Sequence, residues 1–201
     1  MSKLFPEPSI DPAATRRPGH ALDPRFLHRW SPRAFVRENL PLAVVETLFE
    51  ASRWAPSSRN EQPWLFVWAM PDDAERDTLE SLLMEGNAWA RNAAVLAYLF
   101  AKRRFDHNDK ENRVALFDCG SAWMSLALQA RELGLYAHGM GGIHVDRTYE
   151  ALGVPEDRYQ AICGIAIGRY GDLEKVPEDQ RVTPNGRRPI ESFAFRGRFQ
   201  E

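Results

Sequence analysis

Cysteine is scarce in this chain: Cys119 and Cys163 are the only two in 201 residues, and they lack the Cys-x-x-Cys spacing of a redox or zinc motif. Set among apolar or small neighbours, they suit reduced core thiols of a cytoplasmic protein rather than a disulfide. A strong charge of either sign is also missing. The formal net charge of -2 provides no basic field for nucleic acid or an anionic membrane, so neither is expected as the main partner. No apolar run reaches the ~20 residues of a membrane span. The stretch 1–24, rich in Pro, Ala and charge, has no apolar centre that would make a signal peptide. It reads as a loose, extended arm (1–25) ahead of a single domain (26–201). His20, His28, His107, His138 and His144 are scattered without i,i+4 pairing or Cys partners, so no zinc site is expected. No nucleophile–base dyad and no internal repeat is recognisable.

What is present is enough apolar sequence, 44%, for one full core. Asn39-Leu40-Pro41 followed by Leu42, Val45, Leu48 and Phe49 predicts an N-cap, an early proline and a helix running to about Trp54. The run 64–70 is apolar at every position, as in a central strand covered above and below. Residues 72–84 read as a second helix, 95–101 and 161–168 as two more buried strands, 135–138 as a short strand and 146–152 as a short helix. The longest element, 111–133, carries Val114, Leu116, Phe117, Trp123, Met124, Leu126, Leu128 and Leu133, and Gly134 ends it. Being apolar almost all round, it predicts burial in protein, with a second copy of the chain as a candidate partner. From 171 onward the pattern is polar and broken by proline, which predicts an extended tail. The fold class is α+β, a central mixed sheet flanked by helices.

Charge is distributed unevenly. Residues 1–40 hold seven Lys/Arg against four Asp/Glu, and 181–201 hold five against two. In Arg29-Trp30-Ser31-Pro32-Arg33-Ala34-Phe35 the two arginines and the hydroxyl alternate, so an extended backbone projects them to one side, where they could grip an anion or a polar ring edge. Taken alone, the heptad reads more simply as a solvated basic approach to the domain. Ala55-Pro56-Ser57-Ser58-Arg59-Asn60-Glu61-Gln62-Pro63-Trp64 is a loop dense in amides and hydroxyls between a buried helix and a buried strand, a common setting for ligand sites. Turn chemistry accounts for its prolines and serines but not for the whole string. Gly139-Met140-Gly141-Gly142 is either a tight turn or a set of exposed backbone N–H groups. It lacks the last glycine spacing of a dinucleotide fingerprint. Asn185-Gly186-Arg187-Arg188-Pro189-Ile190 is a basic turn, and with Arg29 and Arg33 it would let both chain ends converge on one dianionic phosphate.

The string Arg-x-Ser-x-Arg-x-Phe, followed after a helix by Pro-Ser-Ser-x-Asn-x-Gln-Pro-Trp, resembles the FMN-dependent nitroreductase family, and the element order fits from about residue 26 to residue 193. The resemblance implies FMN at a homodimer interface, with Pro56, Ser57, Ser58 and Asn60 reaching the flavin of the other subunit. It implies Arg29, Ser31 and Arg187 on the phosphate and ribityl chain, and Arg33 with Asn87, from Gly86-Asn87-Ala88-Trp89, at the pyrimidine end of the ring. Gly141 and Gly142 would present backbone N–H groups to the hydride-accepting nitrogen, and Trp30, Met140 and Arg188 complete the cofactor-binding set. Trp30 stands where the family often has a basic residue. No protein side chain is needed as a catalytic nucleophile, because the isoalloxazine carries the hydride. The implied activity is a ping-pong NAD(P)H oxidoreductase acting on a nitroaromatic or quinone. The same fold also admits enal or semialdehyde reduction, dehalogenation, or flavin binding without turnover.

Overall fold

The run Val-Leu-Ala-Tyr-Leu-Phe-Ala at 95–101 dictates the centre of the fold, since a strand apolar at every position must be covered on both faces. In the computed structural model, which describes residues 4–6 and 10–200, all seven are 2% exposed or less. They form strand β2 (Val95–Lys102), the second in a sheet with β1 (Trp64–Ala69), β3 (Tyr136–Met140) and β4 (Tyr159–Gly168) in the order β1-β2-β4-β3. Alternate residues of β2 serve separate cores. Leu96, Tyr98 and Phe100 face one, and Val95, Ala97, Leu99 and Ala101 face the other.

Helices α2 (Leu42–Arg53) and α4 (Ala115–Glu132) cover the second face through Val44, Val45, Leu48, Cys119, Leu126 and Ala130. The first face is closed by α3 (Arg76–Ser81), α5 (Val145–Leu152) and the 3-10 turn Glu85–Asn92, through Leu79, Tyr149 and Trp89. A four-residue helix, α1 (Arg25–His28), leads into the domain and packs on α4. Both cysteines are free, and burial pushes the Cys119 thiol up to about 12 and that of Cys163 up to about 11. Among the described residues no helix is long and apolar enough to cross a membrane, and no group of three or more acidic, His or Cys side chains could hold a metal ion.

Several expectations are corrected. The sheet is not mixed: all three strand pairings are antiparallel. Its helical connections β1-α3-β2 and β3-α5-β4 return the chain to an adjacent antiparallel strand instead of making parallel crossovers. The strand at 64–69 is covered on both faces but lies at an edge of the sheet, not at its centre. Asn39 does not cap α2. Its side chain pairs with Asp72, and Pro41 takes the cap position without a side-chain bond. The second helix shrinks to Arg76–Ser81, because Met70 and Asp72–Glu75 are turned back, with the Met70 N–H bonded to the Asp73 carboxylate at 2.7 Å. The long helix starts at Ala115, and its burial is one-sided. Ala115, Cys119, Ala122, Leu126 and Ala130 face the sheet, whereas Phe117 is 75% exposed.

The helix ends as its sequence dictates. Gly134, at φ +87, carries the chain out of α4, with N–H bonds from Gly134 to Arg131 O and from Leu135 to Ala130 O, the paired pattern that satisfies terminal carbonyls. The arm lies against this turn: the Phe5 N–H bonds to Leu133 O at 3.2 Å, and a Cβ on Gly134 would meet Phe5 O at 2.6 Å. Where described, then, the arm is docked instead of loose. Positions 1–3, 7–9 and 201 lie outside the described residues.

Candidate functional site

Alternation organises the first half of the site. Between α1 and the bridge that Phe35 makes with Tyr170, Trp30, Pro32 and Ala34 are buried while Arg29, Ser31 and Arg33 are only partly covered. The expected same-side projection holds, with Arg29 Nη1 donating to Ser31 Oγ at 3.4 Å. The Trp30 indole is turned into the core, edge-on to Tyr136 at 6.2 Å, so only its backbone is open to a ligand.

Arg33 lies over the ring of Trp89 at 5.7 Å, a cation–π contact, and donates through Nη1 to Gln180 O at 3.2 Å. His138 also stands against Trp89, with ring centres 4.7 Å apart, its Nδ1 2.7 Å from Pro32 O. Burial holds the His138 imidazole below its ordinary pKa; the Pro32 carbonyl opposes this, while the charges of Arg33 and Arg29 reinforce it. Arg33 Nε and Trp89 Nε1 are buried without a hydrogen-bond partner among the described residues, an arrangement that costs stability unless something else fills the need.

Further along β3 the chain reaches Met140, Gly141 and Gly142. Asn87, in the same 3-10 turn as Trp89, donates to Gly142 O at 2.9 Å. A Cβ on Gly142 would clash with Asn87 Nδ2, so a larger residue there would have to displace that amide. Gly141 is exposed, and a Cβ on it would meet nothing within 4 Å. Neither glycine N–H donates to a backbone acceptor among the described residues. The Met140 side chain is buried against Gly164, leaving its backbone as the part that borders this space.

Beyond Ser31, segments from near the two ends of the sequence come together. Arg29 and Arg16 are both held below the usual guanidinium range. For Arg29 the cause is burial first, then the charges of Arg16 and Arg187; for Arg16 it is burial first, then Arg187. Arg187 is fixed by its own turn, donating to Asn185 Oδ1 at 2.9 Å and Gly186 O at 2.8 Å. Arg188 is exposed. No carboxylate pairs with any of the three clustered arginines among the described residues. Three cations drawn together, of which Arg187 is exposed, favour an anion by elementary electrostatics.

The loop 56–60 does not join this band within one chain. The Ser58 N–H is held by Asp118 Oδ2 at 3.1 Å in the first turn of α4, whereas α1 lies by Glu132 in its last turn. Fourteen residues of helix separate the two ends by about 21 Å. Ser57 Oγ accepts the Gln62 N–H at 3.0 Å, and Arg59, Asn60 and Gln62 all have positive φ, a strained run held by these bonds. Pro56 and Asn60 are exposed.

Two surface clefts of about 390 Å³ each open elsewhere, beside Lys102, Arg104 and Asp157, and share no residue with the band. Their charges are largely paired, as in Lys102 with Asp106 and Glu61, and one lining group of the second cleft, Asn112 Nδ2, is buried with no hydrogen-bond partner among the described residues.

Sequence reasoning thus finds Arg29, Ser31, Arg33, Asn87, Gly141, Gly142 and Arg187, which the fold assembles into one band. It misses Arg16, which sits in a Pro-rich arm without periodicity. It also sets His138 aside as a core or surface histidine, although that ring backs Trp89.

A family model described as "Nitroreductase family" matches residues 27–97 and 83–169. A solved structure described as an oxidoreductase containing FMN is 42% identical, covering 92% of this chain and 96% of its own, with a TM-score of 0.88. A Mycolicibacterium smegmatis protein of 15.4 kDa, described as uncharacterized, is 34% identical over 125 residues, 61% of this chain and 82% of its own length. A Stenotrophomonas maltophilia protein with the provisional name NADH dehydrogenase/NAD(P)H nitroreductase is 30% identical over 151 residues, 66% of this chain and 76% of its own.

Proposed function

Because the chain belongs to the nitroreductase family, we propose that it is an FMN-dependent NAD(P)H oxidoreductase that reduces an electron-poor small molecule, of nitroaromatic or quinone type, in a ping-pong cycle. The observation that carries this reading is the convergence of Arg29 with the 185–187 turn, from opposite ends of the sequence and joined through Arg16, in a cationic cluster with no carboxylate partner among the described residues. A dianionic phosphomonoester supplies the missing charge.

The residues present fit the cofactor along the whole band. Arg29 and Arg187 would hold its phosphate, and Ser31 its ribityl chain. Arg33 and Asn87 would meet the polar end of the ring, where positive charge favours an anionic reduced form. The Gly141 and Gly142 N–H groups would orient toward the hydride-accepting edge. When bound, FMN supplies two-electron, hydride-accepting chemistry. The chain's own part is to bind, to orient and to exclude water, the last through the Trp89 and His138 rings. Burial, which lowers the His138 pKa, disfavours a further cation close to the arginines.

The protein acts as a homodimer in this reading. Loop 56–60 is bonded to the first turn of α4 next to the exposed Phe117, and a second copy would bring its own loop to the band.

The test is the visible spectrum of purified protein reconstituted with FMN, before and after anaerobic NADH or NADPH. Bleaching of flavin absorbance, reversed by a nitroaromatic or quinone, is the expected result. Retained colour with both nucleotides would leave a flavin-binding protein without turnover. The double variant Arg29→Glu, Arg187→Glu is expected to lose FMN by at least about 100-fold in affinity, with little change in far-UV circular dichroism. An equally yellow double variant would refute the placement of the phosphate.

A further inference from the structure

Arg16 is the member of the cationic cluster that lies outside every motif in the sequence. It is 7% exposed, and its guanidinium donates through Nη1 to Leu27 O and, at 2.8 Å, to Arg29 O, and through Nε to Asn185 O at 3.2 Å. Leu27 O is one of the carbonyls that the end of a short helix leaves without an intrahelical partner, a position where a cation is favoured. Nη2 makes no hydrogen bond with a described residue. One side chain from the arm therefore ties together the backbone that presents Arg29 and the backbone that presents Arg187.

The same placement is unfavourable for the chain alone. A buried guanidinium beside two others, with no carboxylate paired to it among the described residues, carries both desolvation and repulsion. An apolar residue of similar volume would relieve both but could not hold three carbonyls from two distant segments. Retaining an arginine here makes physical sense if the position serves an anion.

We propose that Arg16 is a positioning residue for the phosphate end of the site, clamping the chain that leaves α1 to the 185–187 turn so that Arg29 and Arg187 meet one phosphomonoester, and thereby setting selectivity for phosphorylated over unphosphorylated flavin. The proposal rests on the FMN reading above and adds to it a residue and a selectivity. The fork geometry, and not charge alone, is the operative property, since a lysine cannot span the three carbonyls.

The experiment titrates the full chain, Arg16→Met and Arg16→Lys with FMN and with riboflavin, following flavin fluorescence, with thermal unfolding of each unliganded protein alongside. Wild type is expected to prefer FMN. Arg16→Met should weaken FMN by about 10- to 100-fold with riboflavin unchanged, and Arg16→Lys should fall between. A merely structural role would move both flavins together, so an unaltered FMN-to-riboflavin ratio in the variants overturns the proposal. If Arg16→Met does not fold, the ratio for Arg16→Lys decides alone. A wild type that binds neither flavin, or both equally, sinks the FMN reading and this proposal with it. A wild type that prefers FMN, with the ratio preserved in the variants, sinks only the role of Arg16.

Discussion

Two adjacent glycines separate what the fold needs from what the ligand needs. Gly142 is hemmed in by Asn87, so Gly142→Ala must push that amide aside and break its bond to Gly142 O, a loss of about 1 kcal/mol in stability. Gly141 has no such neighbour and does not occupy a left-handed conformation. Gly141→Ala is therefore expected to leave the melting temperature within a degree or two of wild type, or slightly above it through reduced freedom of the unfolded chain. The same methyl would stand in the space assigned to the flavin edge. Reduction by NAD(P)H should slow markedly in Gly141→Ala despite undiminished stability, as stopped-flow bleaching and calorimetry on one preparation would report. Unchanged bleaching would mean that the ring lies elsewhere.

Helix α4 couples the separate parts at the scale of elements. Its inner face builds one core, its first turn holds loop 56–60 through Asp118, and its last turn receives both α1 and the arm. Asp118 is 3% exposed, and its carboxylate accepts the Ser58 N–H. Asp118→Ala should cost about 1–3 kcal/mol and free the strained run from Arg59 to Gln62, so that trypsin cleaves after Arg59 faster than in wild type. Equal cleavage rates would show that the loop is held by other means.

The elements themselves were legible wherever burial imposed a period. The unbroken apolar run of β2 and the spacing of α2, α4 and α5 follow from which faces must be dry. Other features leave no such trace. A run like 64–69 reveals that both faces are covered but not whether a neighbouring strand lies on each edge, and strand direction is absent from the pattern altogether. Asn39 carries the chemistry of a cap, yet Asp72 offered its side chain a better partner. Arg16 illustrates the same limit at the site: its meaning comes from carbonyls 11, 13 and 169 positions away.

At the scale of the whole molecule, one chain displays an incomplete arrangement. Loop 56–60 is bonded to the first turn of α4 while α1 lies by its last turn, and Phe117, three-quarters exposed, stands next to Asp118 on the outer face of the helix. In the proposed homodimer this face is covered. Phe117→Glu places a charge where that contact would form, and it should give a folded monomer by sedimentation that retains little flavin. A Phe117→Glu protein that is still dimeric and yellow would exclude this face as the interface.

The unneutralised guanidinium cluster also governs how such experiments are run. Electrostatic attraction of this kind does not inspect what hangs from the anion, so inorganic phosphate and sulfate are competitors for the same seat. Titrations in phosphate buffer will therefore report a weaker apparent FMN constant than those in a zwitterionic buffer of equal ionic strength. Riboflavin, which has no claim on that seat, should be indifferent to the choice.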